Sequence, residues 1–383
     1  MADSQYSTVE KLPDFSGWDR IAGRRVPLSM DLEVTARCNN DCRHCYINLP
    51  AGDAGARAAE LSVAEIDDLA RQACDLGTLW CLLSGGEPLL RDDFEDVYIA
   101  LHGRGLLVSL FTNACLVKPE HVELLLRHPP RELEVTVYGV TAETYEAVTR
   151  RPGSFAAFMR GLTLLEDGGL RPRLKAMALR SNLHEFADIA EFCRANTKDY
   201  FRFDPMLHLR YDRDVKRNEE ICAERLTNDE IAELERLDTE RFEQLQETCE
   251  DALSAGRPPS STTLIRCGAG NQSFSVGYNG ALRICASMWH PDWVYDLRSG
   301  SLRDAWERFI PEVRARTASG SPFVEHCSEC ALIGVCLSCP GHAYLETGKV
   351  DAWVERFCAT AHARADNVRN PSSAEGVVEE TLP

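Results

Sequence analysis

Between residues 28 and 205, short apolar runs alternate with longer segments whose apolar residues recur every three or four positions, which is the pattern of strands and amphipathic helices in turn. The runs at 28–34, 79–83, 106–111, 133–138, 174–179 and 200–203 read as six strands. Between the first two, "LSVAEIDDLARQACDLG" puts Leu61, Ile66, Leu69, Ala73 and Leu76 at helical spacing, with Ser62 as N-cap and Gly77 as stop. Strand–helix alternation of this kind builds a parallel sheet covered by helices. Six such units curve the sheet like a barrel but fall short of the eight strands that close one.

The pattern changes after residue 205. The stretch 206–265 is charged and helical, Thr227 and Glu230 are spaced as a capping box, and "SAGRPPSST" then breaks the chain. From 266 to 366 the sequence is rich in Cys, Gly and Pro and short of long periodic segments, and "NPSSAEGVVEETLP" at the end is polar and acidic, as a disordered tail is. The expected organisation is an N-terminal extension (1–27), an α/β partial barrel (28–205), a helical bridge (206–265), a small Cys-rich domain (266–366) and a tail (367–383).

Composition narrows the function. The chain has 383 residues and a formal charge of -18, from 42 basic and 60 acidic residues, with no basic tract. Nucleic acid and anionic membrane are therefore excluded as expected main partners. No apolar run approaches the ~20 residues of a membrane span, and the start lacks a basic region followed by an apolar one, so a cytoplasmic protein is expected. In that compartment 16 cysteines read as metal ligands before they read as disulfides.

Their spacing carries the chemistry. "CNNDCRHC" places Cys38, Cys42 and Cys45 just past the first predicted strand, at the strand end where βα-barrels keep their active sites. Three soft thiolates leave one coordination position open, as a catalytic metal requires. After the second strand, "LSGGEPLL" sets Gly85, Gly86, Glu87 and Pro88 in a turn where glycine allows close backbone approach. Farther on come Cys267 and Cys285, then Cys327-x2-Cys330-x5-Cys336-x2-Cys339, then Cys358. On spacing alone the four-thiol run also fits a zinc site.

The first two motifs resemble those of the radical S-adenosylmethionine (SAM) superfamily, and the third resembles the seven-cysteine SPASM domain of peptide-modifying maturases. The resemblance implies a partial (β/α)6 TIM-type barrel followed by a small iron–sulfur domain. It implies a [4Fe–4S] cluster on Cys38, Cys42 and Cys45 whose open iron binds SAM. Gly85, Gly86, Glu87, Pro88, Asn113 in "FTNACLV" and Thr136 in "VTVYG" are implied as SAM contacts, although Ala114 stands where the family has Gly. It further implies two auxiliary [4Fe–4S] clusters, an outer one on Cys327, Cys330, Cys336 and Cys358 and an inner one on Cys267, Cys285 and Cys339. The inner one is a thiol short, and Ser273 stands near where some relatives have an additional Cys.

The activity so implied is reductive cleavage of SAM to a 5′-deoxyadenosyl radical, which takes a hydrogen atom from a substrate. The expected substrate is a ribosomally made peptide undergoing crosslinking, oxidation or epimerisation. The alternatives are a dehydrogenase or epimerase of a small sugar or alcohol, or a sulfatase-type protein maturase. Expected partners are a flavodoxin- or ferredoxin-type reductant and a separate leader-binding protein, since only 37 residues precede Cys38. Of the remaining cysteines, Cys74, Cys81, Cys115, Cys193 and Cys249 read as packed apolar residues, and Cys222 as a candidate hydrogen donor to a substrate radical. Arg210, Asp212 and Arg213 either face substrate or form a solvated loop.

Overall fold

The structure is a computed structural model that describes residues 21, 23–198 and 200–369. Most of the N-terminal extension and of the expected tail lie outside the described residues. The six predicted strands are present as β1 (Ser29–Glu33), β2 (Trp80–Ser84), β3 (Leu107–Thr112), β4 (Glu132–Val137), β5 (Arg173–Met177) and β6 (Arg202–Asp204). They pair in parallel, each with the next in sequence.

Alternation of side chains explains the sheet's two faces. In β1, Met30 and Leu32 point into the apolar core, while Asp31 and Glu33 point to the other face. Helices cover the core side. In helix Val63–Leu76, Ser62 accepts from the Glu65 amide at 3.3 Å and Glu65 accepts from the Ser62 amide at 2.8 Å, so the first turn satisfies its own exposed donors. Gly77 ends the helix at φ 105°, and Ile66, Leu69, Ala70 and Ala73 form the buried face.

The later part of the chain does not stand apart from this sheet. Strand β7 (Ser273–Val276) pairs in parallel with β1, Ser29 opposite Ser273, and β8 (Ala281–Arg283) and β9 (Tyr295–Asp296) follow antiparallel. The result is one nine-stranded sheet in the order β9-β8-β7-β1-β2-β3-β4-β5-β6. One apolar core likewise joins Met30 and Leu83 to Phe274, Val276, Leu282, Trp306 and Ile310. The Cys-rich part is short of long periodic segments, but its short ones pack into the same apolar core as the barrel strands.

Between these parts run helices Val215–Ala223, Asn228–Leu237 and Thr239–Ser254, with the Thr227–Glu230 capping box formed. The second and third pack against the last helix, Glu355–Arg369. There Arg364 grips the buried Glu235 through two hydrogen bonds of 2.7 and 2.9 Å.

Candidate active site

Past β1 the backbone turns at Thr35, and Arg37–Cys38 forms a two-stranded parallel ribbon with Leu49–Pro50. The loop between them carries the three thiols. It is held from many directions: the Gly86 amide donates to Thr35 O at 2.7 Å, Glu87 to Arg37 O at 2.9 Å, Asp41 to Thr149 O at 2.9 Å and Arg43 to Val148 O at 3.1 Å. The two glycines are needed for this stitching. A Cβ on Gly85, at φ 139°, would stand 2.2 Å from Thr35 O, and one on Gly86 would stand 2.3 Å from Arg37 O.

Cys38, Cys42 and Cys45 line one side of a cavity of about 350 Å³, and Gly85, Gly86, Asn113 and Thr136 line it with them. Burial pushes each thiol's pKa up, and for Cys42 the neighbouring Cys38 and Cys45 add to that, so the trio sits as one mutually interacting group. Asn113 Nδ2 donates to Asn39 Oδ1 at 2.9 Å and approaches Cys38 Sγ at 3.7 Å. His44, between two of the thiols, is kept neutral by burial, with its pKa lowered to about 4, and its ring packs on Tyr138.

Glu87 and Pro88 are not among the described residues that line the cavity. The Glu87 carboxylate is fully buried and accepts from Asn113 N at 2.8 Å, Thr112 Oγ1 at 2.8 Å and Leu89 N at 3.1 Å. It braces the β3 turn that presents Asn113, and its charge acts on the nearby Cys38 thiol. Ala114, next in that turn, holds φ 60°, the left-handed conformation that explains a family preference for Gly at this place.

The cavity's other wall is charged. Asp31 accepts from Ser275 Oγ of β7 at 3.1 Å, and Glu33 forms an ion pair with Arg283 of β8. Both members of that pair are almost wholly buried, at 2% and 0% exposure. Burial raises the pKa of both acids, and Arg283 lies 3.5 Å above the Trp289 ring. Lys175, 2.9 Å from Glu134, lines the cavity as well, with Asp204 and His208.

The seven thiols of the later motif separate into two groups. Cys327, Cys330, Cys336 and Cys358 act on one another electrostatically, and so do Cys267, Cys285 and Cys339. Burial pushes the Cys339 thiol up, but the His342 ring beside it outweighs this and leaves the thiol below its ordinary range. Among the described residues, no three His, Cys, Asp or Glu side chains converge as tightly as one metal ion requires. The donors in each group are all sulfur, a set that suits iron–sulfur clusters.

Three other stretches singled out in the sequence take definite places. Cys222 is exposed near the end of helix Val215–Ala223, beside Arg356, and is not among the described residues lining the cavity. Its helix leaves the thiol exposed. Arg210 is buried and ties its loop down, donating to Asn48 O at 3.0 Å and pairing with Asp212, and both residues line a second cavity with Cys38 and Asn40. Ser273 lies within β7, its carbonyl accepting from the Gly270 amide at 3.0 Å. His208 and His342 carried no motif that drew attention to them.

A partial α/β barrel that gathers three thiols and a glycine turn at the ends of adjacent strands has its candidate site where half-barrel enzymes carry theirs. Residues 32–193 match the Radical SAM superfamily, and this part of the chain is a radical SAM domain. Over longer spans the chain is 25% identical to the AdoMet-dependent heme synthase of Methanosarcina barkeri, covering 86% of this chain and 95% of that protein. It is 24% identical to AlbA, the subtilosin biosynthesis protein of Bacillus subtilis, covering 82% of this chain and 67% of AlbA. The chain spans about half the length of several other curated relatives it matches. In fold it is similar to Streptococcus suis SuiB, solved with S-adenosylmethionine, at a TM-score of 0.63 and 16% identity over 89% of this chain and 80% of SuiB. No helix among the described residues is long and apolar enough to cross a membrane.

Proposed function

We propose that this radical SAM protein modifies a ribosomally made peptide by crosslinking, oxidation or epimerisation, with its first [4Fe–4S] cluster held by Cys38, Cys42 and Cys45. Two auxiliary [4Fe–4S] clusters would be held in a SPASM-type part by the two thiol groups described above. When bound, the reduced first cluster and SAM supply a 5′-deoxyadenosyl radical able to take a hydrogen atom from substrate. The chain's own residues do the positioning. Gly85, Gly86, Asn113 and Thr136 would cradle SAM beside the three thiols, and Glu87 keeps the Asn113 turn in place. The Asp31–Glu33 wall and its partners on β7 and β8 would exclude bulk water and orient a polar group of the substrate.

The observation that carries the peptide reading is an open cleft of about 640 Å³. It shares Lys175, Met177, Asp204, Met206 and His208 with the cavity and continues past Arg241, Leu245, Val335 and His342. An extended chain can lie along such a trough and still place one residue at the cavity, whereas a small molecule needs only the cavity itself. The span of the likeness to AlbA supports this reading, as does SuiB, which has also been solved with its precursor peptide SuiA. A reductant of flavodoxin or ferredoxin type and a separate leader-binding protein would complete the system.

The near full-length alignment with a heme synthase favours a second reading, chemistry on a tetrapyrrole. Anaerobic reconstitution with SAM and dithionite distinguishes them. A short peptide encoded beside the gene should stimulate 5′-deoxyadenosine release and change in mass, by loss of hydrogen for a crosslink or oxidation. Stimulation by a tetrapyrrole and not by peptide would overturn the peptide reading, and no 5′-deoxyadenosine under any condition would overturn both.

A further inference from the structure

The inner thiol group has three members where a cubane cluster has four irons to ligate. Cys339 is the N-cap of helix Pro340–Thr347, and its sulfur accepts the His342 amide at 3.5 Å, so the thiol and the His342 side chain leave the same helical turn. The His342 ring is pinned. It stacks on His208 with centroids 4.1 Å apart and 19° between planes, and it also packs on Phe357 at 5.5 Å.

The ring's tautomer follows from its partners. Nδ1 lies 2.8 Å from the carbonyl oxygen of Leu337, which can only accept, so Nδ1 carries the hydrogen. In the neutral ring, Nε2 then presents a lone pair. That atom is buried and has no hydrogen-bond partner among the described residues. A histidine that donates one ring N–H to a backbone carbonyl and keeps the other nitrogen free is arranged as metal-binding histidines are. Ser273, near the place where some relatives have an additional Cys, offers only a hard hydroxyl donor on a strand.

We propose that His342 Nε2 is the fourth ligand of the inner auxiliary cluster, completing Cys267, Cys285 and Cys339. The bond is a lone-pair donation to iron and needs no change of redox state. The inference rests on reading those three cysteines as an iron–sulfur site. Because His208 lines the substrate cavity and stacks on His342, the ligand's ring also places this cluster one aromatic contact from that cavity.

The test uses the full chain with Cys38, Cys42 and Cys45 changed to Ala, so that only auxiliary clusters report. The protein is reconstituted anaerobically, reduced with dithionite and examined by pulsed EPR, with and without 15N-histidine. The expected result is about eight irons per chain and a strong nitrogen coupling that changes isotope with the label. His342→Ala should abolish the coupling, and any iron it loses, about one cluster's worth, should return in His342→Cys without the coupling. Eight irons with no histidine coupling, or a coupling that survives His342→Ala, would overturn the ligand assignment alone. Four irons or fewer before His342 is changed would overturn the two-cluster reading, and this inference with it.

Discussion

The loop Cys38–Cys45 and the segment Cys327–Cys339 each gather their thiols within about a dozen residues, but they are held in opposite ways. The first is fixed from outside itself: its amides reach Thr149 O and Val148 O, and the Arg150 and Arg217 side chains donate to Asp41 O and Cys42 O. The second is held mostly by its own turns, with Cys330 bonding to Cys327 O, Ile333 to Cys330 O and Cys336 to Leu332 O. Its few distant ties include Arg266 to Cys327 O and Ser261 to Ser328 O. Around it lie two small apolar clusters, one of Cys249, Val335 and Val368, the other of Leu332, Ala361 and Ala365. A fold that positions its ligands stays ordered without metal, whereas one that its ligands organise does not.

Iron removal tests this contrast most sharply. Anaerobic chelation should cost amides 327–339 nearly all their protection in hydrogen exchange, while amides of β1 to β4 and of the Cys38–Cys45 loop keep theirs. Equal loss in both places would break the comparison. Next in size is the buried pair that joins the two parts of the sheet. Arg283→Ala leaves the Glu33 carboxylate buried without its partner, and should lower the unfolding free energy by about 3–5 kcal/mol in a denaturant titration. A loss below ~1 kcal/mol would show that solvent reaches the pair.

The smallest expected effect concerns the brace beneath the first loop. Burial raises the Glu87 pKa to about 7 from 4.5, against the pull of its three donors. The folded chain therefore binds that proton more tightly than the unfolded chain does. This contributes stability fully present below pH 4.5 and lost as the pH rises through about 7. Glu87→Gln should flatten the fall in stability across that window by up to about 3 kcal/mol, measured as unfolding free energy against pH. An unchanged slope would place its origin elsewhere.

How far all this was legible in the sequence depended on the distance between partners. The six barrel strands lie within a residue or two of their predicted ends, and Ser62, Gly77 and the Thr227–Glu230 box sit where expected, because each is a local pattern. The four residues Ser273–Val276 gave no local sign of pairing with a strand 244 positions earlier. Nothing local announces that the Glu87 carboxylate accepts from Asn113, 26 residues on. His342 escaped notice because one histidine has no spacing to read, and only its carbonyl partner and its empty nitrogen single it out.

Strand β7 has a consequence for how the protein is made. An open half-barrel has two raw edges, and exposed edges invite pairing with other chains. The β6 edge is only Arg202–Asp204, whereas the five-residue β1 is covered by β7. On the ribosome that cover arrives 244 residues late, which at typical synthesis rates is roughly 10–50 s. For that interval β1 is a free template, so a chain stalled or cut before residue 273 should be prone to aggregate even with its three-thiol loop complete.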